Sequence, residues 1–322
     1  MAEGLLARVA RKYMERVLPT YQRGSIARFF PSDNIGGRDT TKWAIKVLKE
    51  TSRPTHLPAG SNFSAQEDKF DALDAVWHNH QLNKRMTMNR SERDTFAKTG
   101  ILPAGIEEVA EQMAKEFNYI FMRGARSDSQ FSITQYNYVT DQSASSTTPQ
   151  RPSLVTNAGA GSGWVVAAGE AQTDLAKLIG GLEKIGFNPS TSILFYPEVI
   201  ADYLRMPYVN ATSTYSNESI MNFILKQGIL GAVPLKDEWM YTAAGATPTK
   251  DAFDVYLVDI ASVVIGYTVP ESINIQDNPD GSYNTYIDAE IEYCPLFKPK
   301  KYDTDGYYYK GVSRLTACDM DA

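Results

Sequence analysis

Residues 102–124 read LPAGIEEVAEQMAKEFNYIFMRG, and this stretch organises the rest of the chain. Ile106, Val109, Met113, Phe117 and Ile120 recur at three- and four-residue steps, the spacing of one helix face. Pro103 suits a first turn, where its missing N–H costs nothing. Glu107, Glu108 and Glu111 lie toward the positive end of the helix dipole and Arg123 at its negative end, and Gly124 is a stop. The spacing therefore predicts a helix over 103–123, a rod of roughly 30 Å at 1.5 Å per residue.

Working toward the N-terminus, residues 89–99 read as a short helix with Ser91 near its start. Residues 41–50 (TKWAIKVLKE) alternate, with Trp43, Ile45 and Val47 on one face and Lys42 and Lys46 on the other. A strand is the reading, with helix as its competitor. Residues 70–82 (FDALDAVWHNHQL) also look extended. Between them runs an aperiodic stretch rich in Pro, Ser and Thr. So long a connection is unusual in a compact domain unless it is functional: an enzyme would use it as a lid, an assembling subunit to reach a neighbour. Residues 4–18 form an amphipathic helical pattern ended by Pro19 and Gly24.

Toward the C-terminus, residues 131–139 read as a strand and 140–163, low in charge and rich in Ser, Thr, Ala and Gly, as loops. Helices are expected over 169–185 (stopped by Gly186), from Pro197 through Arg205, and over 217–227 (stopped by Gly228). Strands are expected at 192–196, 253–260, 262–269, 283–293 and 306–316. In 283–293 the odd positions from Tyr283 to Tyr293 share one face, while Asp288, Glu290 and Glu292 share the other. The class is α+β, without βαβ alternation.

The chain has 322 residues, 43% hydrophobic and 22% charged, with a net charge of −6. These values fit a folded protein of about two domains and exclude a uniformly basic nucleic-acid coat. The charge is unevenly spread. Residues 1–30 hold Arg8, Arg11, Lys12, Arg16, Arg23 and Arg28 against Glu3 and Glu15, a net of +4 on a remainder of −10. Such an arm suits an anionic partner, either nucleic acid or the acidic body of a neighbouring subunit; a solvated amphipathic helix is the plain alternative. No apolar core of a secretory signal follows these charges. With two scattered Cys, a reducing cytoplasm is the simplest compartment.

Catalytic and ligand-binding patterns fail on inspection. The run AGAGSGW (158–164) ends in Trp164, where a phosphate loop needs Lys and Ser or Thr and a dinucleotide fingerprint needs Gly. His78 and His80 would share a strand face, but a structural zinc site needs four ligands. DTDG (303–306) lacks the acid that a calcium loop requires at 301, which is Lys301. Cys294 and Cys318 read as buried thiols. The carboxylate row at 288, 290 and 292 is read as facing solvent or pairing with a basic partner. No catalytic, cofactor or metal residue is assigned, and the protein is not expected to be an enzyme.

The order of elements carries more than any motif. Basic arm, two-stranded excursion, rod helix, mixed middle and β-rich end together resemble the tailed-phage major capsid protein of the Hong Kong 97 type. The resemblance is carried by 102–124 as spine helix, by FNPSTSILFYPEVIADYLRMP, SIMNFILKQGILGAVPL and FDVYLVDIASVVIGY as axial domain, and by YNTYIDAEIEYCPLFKPKKYDTDGYYYKGVSRL as final strands. It implies an N-terminal arm (1–40), an extended loop (41–85), a peripheral domain (86–138), an axial domain (139–270) and a return to the peripheral domain (271–322). It further implies a virion subunit, assembled in the host cytoplasm into hexamers and pentamers of an icosahedral or prolate head around double-stranded DNA. Scaffolding, portal and decoration proteins would be its partners; no cofactor and no membrane is implied. The basic arm residues Arg8, Arg11, Lys12, Arg16, Arg23 and Arg28 would meet DNA or a neighbouring subunit, and Arg53, His56 and Lys69 on the extended loop would make inter-subunit contacts. Members that cross-link do so through a loop lysine; Lys69 lies near the tip, but no matching acid and Asn motif accompanies it. Deleting 1–30 or the tip 53–68 is expected to impair assembly and leave a folded monomer. An encapsulin-type compartment shell is the alternative within the fold, and a cytosolic α+β enzyme with a lid at 51–82 the alternative outside it.

Overall fold

The computed structural model describes residues 25–34, 42–50, 69–76, 80–99, 106–123, 150–156, 164, 170–184, 186–209, 215–240, 247–277, 284–297, 300–302 and 307–320. The strands are β1 (Ser32–Asn34), β2 (Lys42–Glu50), β3 (Lys69–Val76), β4 (His80–Met88), β5 (Gln150–Thr156), β6 (Ser192–Pro197), β7 (Pro207–Val209), β8 (Tyr215–Ser219), β9 (Gly231–Leu235), β10 (Phe253–Asp259), β11 (Val263–Asp277), β12 (Thr285–Phe297), β13 (Lys300–Tyr302) and β14 (Tyr307–Cys318). The α-helices are α1 (Arg90–Thr99), α2 (Ile106–Arg123), α3 (Glu170–Lys184), α4 (Ala201–Arg205) and α5 (Ile220–Lys226). One sheet has the order β1-β11-β12-β4; a six-stranded sheet runs β13-β14-β10-β6-β9, with β5 also on β14; β2–β3 and β7–β8 are two-stranded ribbons.

Helix α2 explains why these sheets belong together. Among its described side chains the buried ones are Met113, Ala114, Phe117, Asn118, Phe121 and Met122, two adjacent columns where the spacing predicts a single stripe. Ile120 is only half-buried, at the edge of the core. A face this wide serves two surfaces. Met88 of β4 and Ile265 of β11 meet it from the four-stranded sheet, and Ile193, Phe195, Tyr256 and Val258 from the six-stranded one. Burying each Phe or Met contributes about 1.5–3 kcal/mol, which is where a rod of this length gains its stability.

The six-stranded sheet is covered on both faces, and strand alternation divides its residues accordingly. Leu194, Tyr196, Phe253, Val255 and Leu257 point away from α2 into a second core with Leu175, Leu178, Ile179 and Leu182 of α3 and Ile220 and Ile224 of α5. Double coverage explains why β6 and β10 are buried at every position and read as continuous apolar runs.

Local sequence sets the helix ends. Asn89 accepts from the Glu92 N–H at 2.9 Å, and the Glu92 carboxylate accepts from the Asn89 N–H at 3.0 Å, a reciprocal capping box. The start of α1 is thus set by Asn89, one turn ahead of its first acid, with Ser91 already inside the helix. Gly186, at φ 80°, ends α3. Its N–H donates to Glu183 O and that of Phe187 to Leu182 O, the paired bonds of a Schellman stop. Ser219 caps α5 through Asn222 N–H at 3.1 Å, so the helix begins three residues later than 217.

Two expectations are corrected. Residues 150–156, grouped with loops on composition, form β5, parallel to β14. A tertiary partner overrides weak propensity here; Pro152 is tolerated because, among the described residues, β5 pairs with β14 alone and the register shifts beside it. Residues 271–322 contribute to both larger sheets: β12 pairs with β11 and β4, and β14 lies beside β10 in the six-stranded sheet. The second correction concerns residues 1–30. Ile26 and Phe30 are buried in the α2 core, the Ile26 N–H donates to the Asn118 side chain at 2.8 Å, and β1 pairs with β11. The end of the supposed arm is part of the fold, so deleting 1–30 would remove core. The expected helix at 4–18, the strand at 131–139, Pro103 and Gly124 lie outside the described residues.

Gly311 on β14 marks a close approach. A Cβ there would overlap Ser262 Oγ and sit 2.8 Å from Ser262 Cβ and 3.0 Å from Phe187 Cδ1. Ser262 cannot easily yield, because it is buried and its hydroxyl donates to Asp259 O at 2.8 Å. Gly311→Ala is expected to destabilise by about 1–3 kcal/mol, as overpacking does, read as a lowered unfolding midpoint in urea.

Candidate assembly surfaces

The excursion is a two-stranded antiparallel ribbon. Its register runs from Lys42 opposite Val76 to Leu48 opposite Phe70, and after a one-residue shift Glu50 faces Lys69. Trp43, Ile45 and Val47 stand opposite Ala75, Leu73 and Asp71 in that register, and the strand reading of 41–50 holds. A lone ribbon is marginal in water. Among the described residues no third strand pairs with it, although β13 comes alongside β2. Lys69 opens β3 at the end of the ribbon farthest from the Lys42–Val76 pair. Arg53 and His56, in the 51–68 connection, lie outside the described residues, as do His78 and the arm residues Arg8, Arg11, Lys12, Arg16 and Arg23.

Arg28 is the basic arm residue that can be placed. It is exposed, within a short 3-10 turn (Ile26–Phe29) capped by Ser25, with its guanidinium 4.7 Å from the centre of the Phe29 ring. Below it Phe30 packs tilted on Phe121, centroids 5.1 Å apart, and stacks on Phe195 at 6.2 Å.

Asp288, one of the carboxylate row on β12, meets a basic partner in its own chain. Arg85 on β4 forks onto Asp288, Nε to Oδ1 at 2.6 Å and Nη2 to Oδ2 at 2.8 Å, and lies 5.0 Å from the Tyr286 ring centre. The hydrogen bond from Arg85 holds the Asp288 carboxyl below its ordinary value, against a smaller opposing effect of burial. A carboxyl depressed by folding adds stability above the unfolded value of about 3.9 and loses it as pH falls through the lower folded value.

Two buried polar constellations were not foreseen. Asp254 on β10 and Arg314 on β14 are both buried, with Arg314 Nη2 and Nε donating to Asp254 Oδ2 at 2.6 and 3.0 Å and the guanidinium 5.5 Å from the Tyr256 ring centre. Trp164, the described end of the Gly-rich run, is buried against Tyr203 and Phe253. Its indole N–H donates to Asp174 at 3.3 Å and its backbone N–H to Asp319 O at 2.7 Å. A charge within FDVYLVD was the available signal for the first of them. Trp164 had none beyond its size. Cys318 is buried and free, and burial first, then nearby Asp254, pushes its thiol well above the ordinary range, the setting of a structural thiol. Cys294 lies on β12, in the other sheet.

Among the described residues no three His, Cys, Asp or Glu side chains gather as metal ligands, and no helix is long and apolar enough to cross a membrane. Among the described residues the surface offers a two-stranded ribbon and a few exposed apolar side chains.

No protein-family model and no curated protein matches the chain. Solved structures do, over nearly its whole length. The virus-like particle from Pyrococcus furiosus superposes with a TM-score of 0.53 at 11% identity, covering 95% of this chain and 98% of its own. The structure from Mycobacterium phage Cain gives 0.55 at 12%, covering 94% and 91%. The capsid of Myoviridae phage XM1 gives 0.54 at 12%, covering 92% and 91%. The chain thus has an α+β fold shared with proteins of viral particles. That fold is the Hong Kong 97-type capsid fold the order of elements had suggested.

Proposed function

We propose that the protein is the major capsid protein of a tailed bacteriophage, a structural subunit and not an enzyme. Copies assemble into hexamers and pentamers of an icosahedral or prolate head around double-stranded DNA, with scaffolding, portal and decoration proteins as partners. The observation that carries this reading is the end-to-end likeness to proteins of virus and virus-like particles, at more than nine-tenths coverage on both sides. In this reading α2 and the four-stranded sheet form the peripheral domain and the six-stranded sheet the axial domain. Arg53, His56 and Lys69 reach a neighbouring subunit from the ribbon, and the basic residues before Ser25 meet DNA or an acidic neighbour.

The physics of a thin shell supports these roles. Each subunit must bury much surface against others, and obligate interfaces are large and apolar. A ribbon with apolar alternate positions gains its missing partner from the next subunit. The acidic remainder of the chain repels DNA over most of the wall, which suits a genome that must be released. Deleting 53–68 is expected to leave the monomer folded, since the core described above does not draw on it, and to abolish particle formation. Size-exclusion chromatography of the deleted and full-length chains checks this. Particles from the deleted chain in wild-type yield would contradict the role given to the ribbon.

A further inference from the structure

We propose that Asp259 locks the crossover between the two larger sheets, acting as a positioning residue that holds them at one relative angle. The inference goes beyond the shell-subunit reading; only its consequence for particle size rests on that reading.

The crossover is short. Asp259 opposite Ser192 is the last pair between β10 and β6, and Val263 opposite Phe297 is the first between β11 and β12. The chain thus leaves the six-stranded sheet and enters the four-stranded one through Ile260–Ser262, a single 3-10 turn. Such a turn has poor hydrogen-bond geometry of its own, and a few residues of this kind suffice for a hinge between packed bodies. Val258 and Val263, on either side of it, lie in the α2 core. Apolar burial keeps the sheets together but has no direction, so it does not by itself set their angle.

Directional contacts supply what burial lacks. Asp259 is buried, and its Oδ1 accepts from the Ala261 N–H at 3.1 Å and from the Thr191 hydroxyl at 2.7 Å. That hydroxyl has one proton to give, and Asn188 O, at 3.0 Å, is the more distant acceptor. Capping the turn needs only Asp259 and the Ala261 N–H. The Thr191 bond goes further: it spans 68 residues of sequence and ties the turn to the lead-in of β6. The Ser262 hydroxyl donates back to Asp259 O at 2.8 Å. From β14, Gly311 approaches so closely that a Cβ there would overlap Ser262 Oγ. The turn is therefore gripped by two parts of the six-stranded sheet, while its far end is already β11. These contacts fix the direction in which β11 sets out. In a shell that direction governs how neighbouring subunits meet, so a single angle gives a single particle size.

The test uses the full chain. Spin labels are attached through ketone side chains at the exposed positions 87 on β4 and 183 on α3, and the distance distribution is read by pulsed dipolar spectroscopy. The wild type is expected to give a narrow distribution that widens about twofold or more in Asp259→Ala and Thr191→Val, as a released hinge would. Asp259→Asn is expected to stay narrow, because its amide oxygen still accepts both bonds. Thr191→Val leaves the turn its own cap and decides the matter if Asp259→Ala unfolds. Ile224→Val, a loosening of the second core, is expected to lower the unfolding temperature without widening the distribution. In negative stain, the two widened variants are expected to form particles of more than one size where the wild type forms one. A wild-type distribution in Asp259→Ala or Thr191→Val, or equal widening in Ile224→Val, overturns the lock. Uniform particles from the widened variants overturn its consequence for size. A wild-type chain that never assembles overturns the shell reading, and the distance distributions still decide the lock.

Discussion

Replacing Asp254 with alanine is expected to destabilise the protein by about 3–5 kcal/mol, the cost of leaving a buried charge without its partner. Arg314 is 7% exposed and Asp254 1%, so water cannot readily replace the lost carboxylate. The Tyr256 face, 5.5 Å away, compensates only in part, since a cation–π contact contributes about 0.5–2 kcal/mol. Total stability is commonly about 5–15 kcal/mol, so the single change would consume a large share of it. Replacing both partners, as Asp254→Leu with Arg314→Met, is expected to recover most of the loss, because two apolar side chains of similar volume need no desolvated charge. Urea unfolding of the wild type, the single variant and the double variant checks this. A single variant within 1 kcal/mol of wild type would show that the pair is solvated in solution.

The second large effect separates two truncations that differ by six residues. Removing 1–24 leaves every contact described above in place and is expected to leave the unfolding temperature unchanged. Removing 1–30 takes away Ile26 and Phe30, whose burial contributes roughly 2–5 kcal/mol each, and strips the buried Asn118 side chain of the Ile26 N–H. The sum reaches the whole of a typical stability, so the shorter chain is expected to lose its cooperative melt and near-UV dichroism. Phe30→Ala alone is expected to cost about 3–5 kcal/mol. If removal of 1–30 left a cooperative melt at the full-length temperature, the seating of residues 25–34 described here would be wrong. The contrast bears directly on function, since only the 1–24 truncation can test what the basic arm does in assembly.

The helices and buried strands were legible because their signals are local. The spacing of Leu175, Leu178, Ile179 and Leu182, the stops at Gly186 and Gly228, and the apolar runs of β6 and β10 each fix an element without reference to distant residues. What could not be read depended on pairing across the chain. Nothing in QRPSLVT announces a strand; β5 exists because β14 offers an edge. The assignment of β14 to the six-stranded sheet likewise rests on its register with β10, more than fifty residues earlier. The second column on α2 was hidden because a 3.6-residue pattern reports one buried side, and here there are two. For Ile26 and Phe30, the basic residues around them masked a core contribution that only the aromatic contacts with α2 and β6 reveal. The surfaces were less legible still. Of the basic arm only Arg28 can be placed.

The most direct test of the shell-subunit account is negative-stain electron microscopy of the full-length chain, expressed alone and with a co-expressed scaffolding protein. Closed particles tens of nanometres across, built from hexamers and pentamers and copurifying with nucleic acid when assembled in the cell, are the predicted result. A chain that stays monomeric or as a small oligomer at every concentration, with and without that partner, would contradict it.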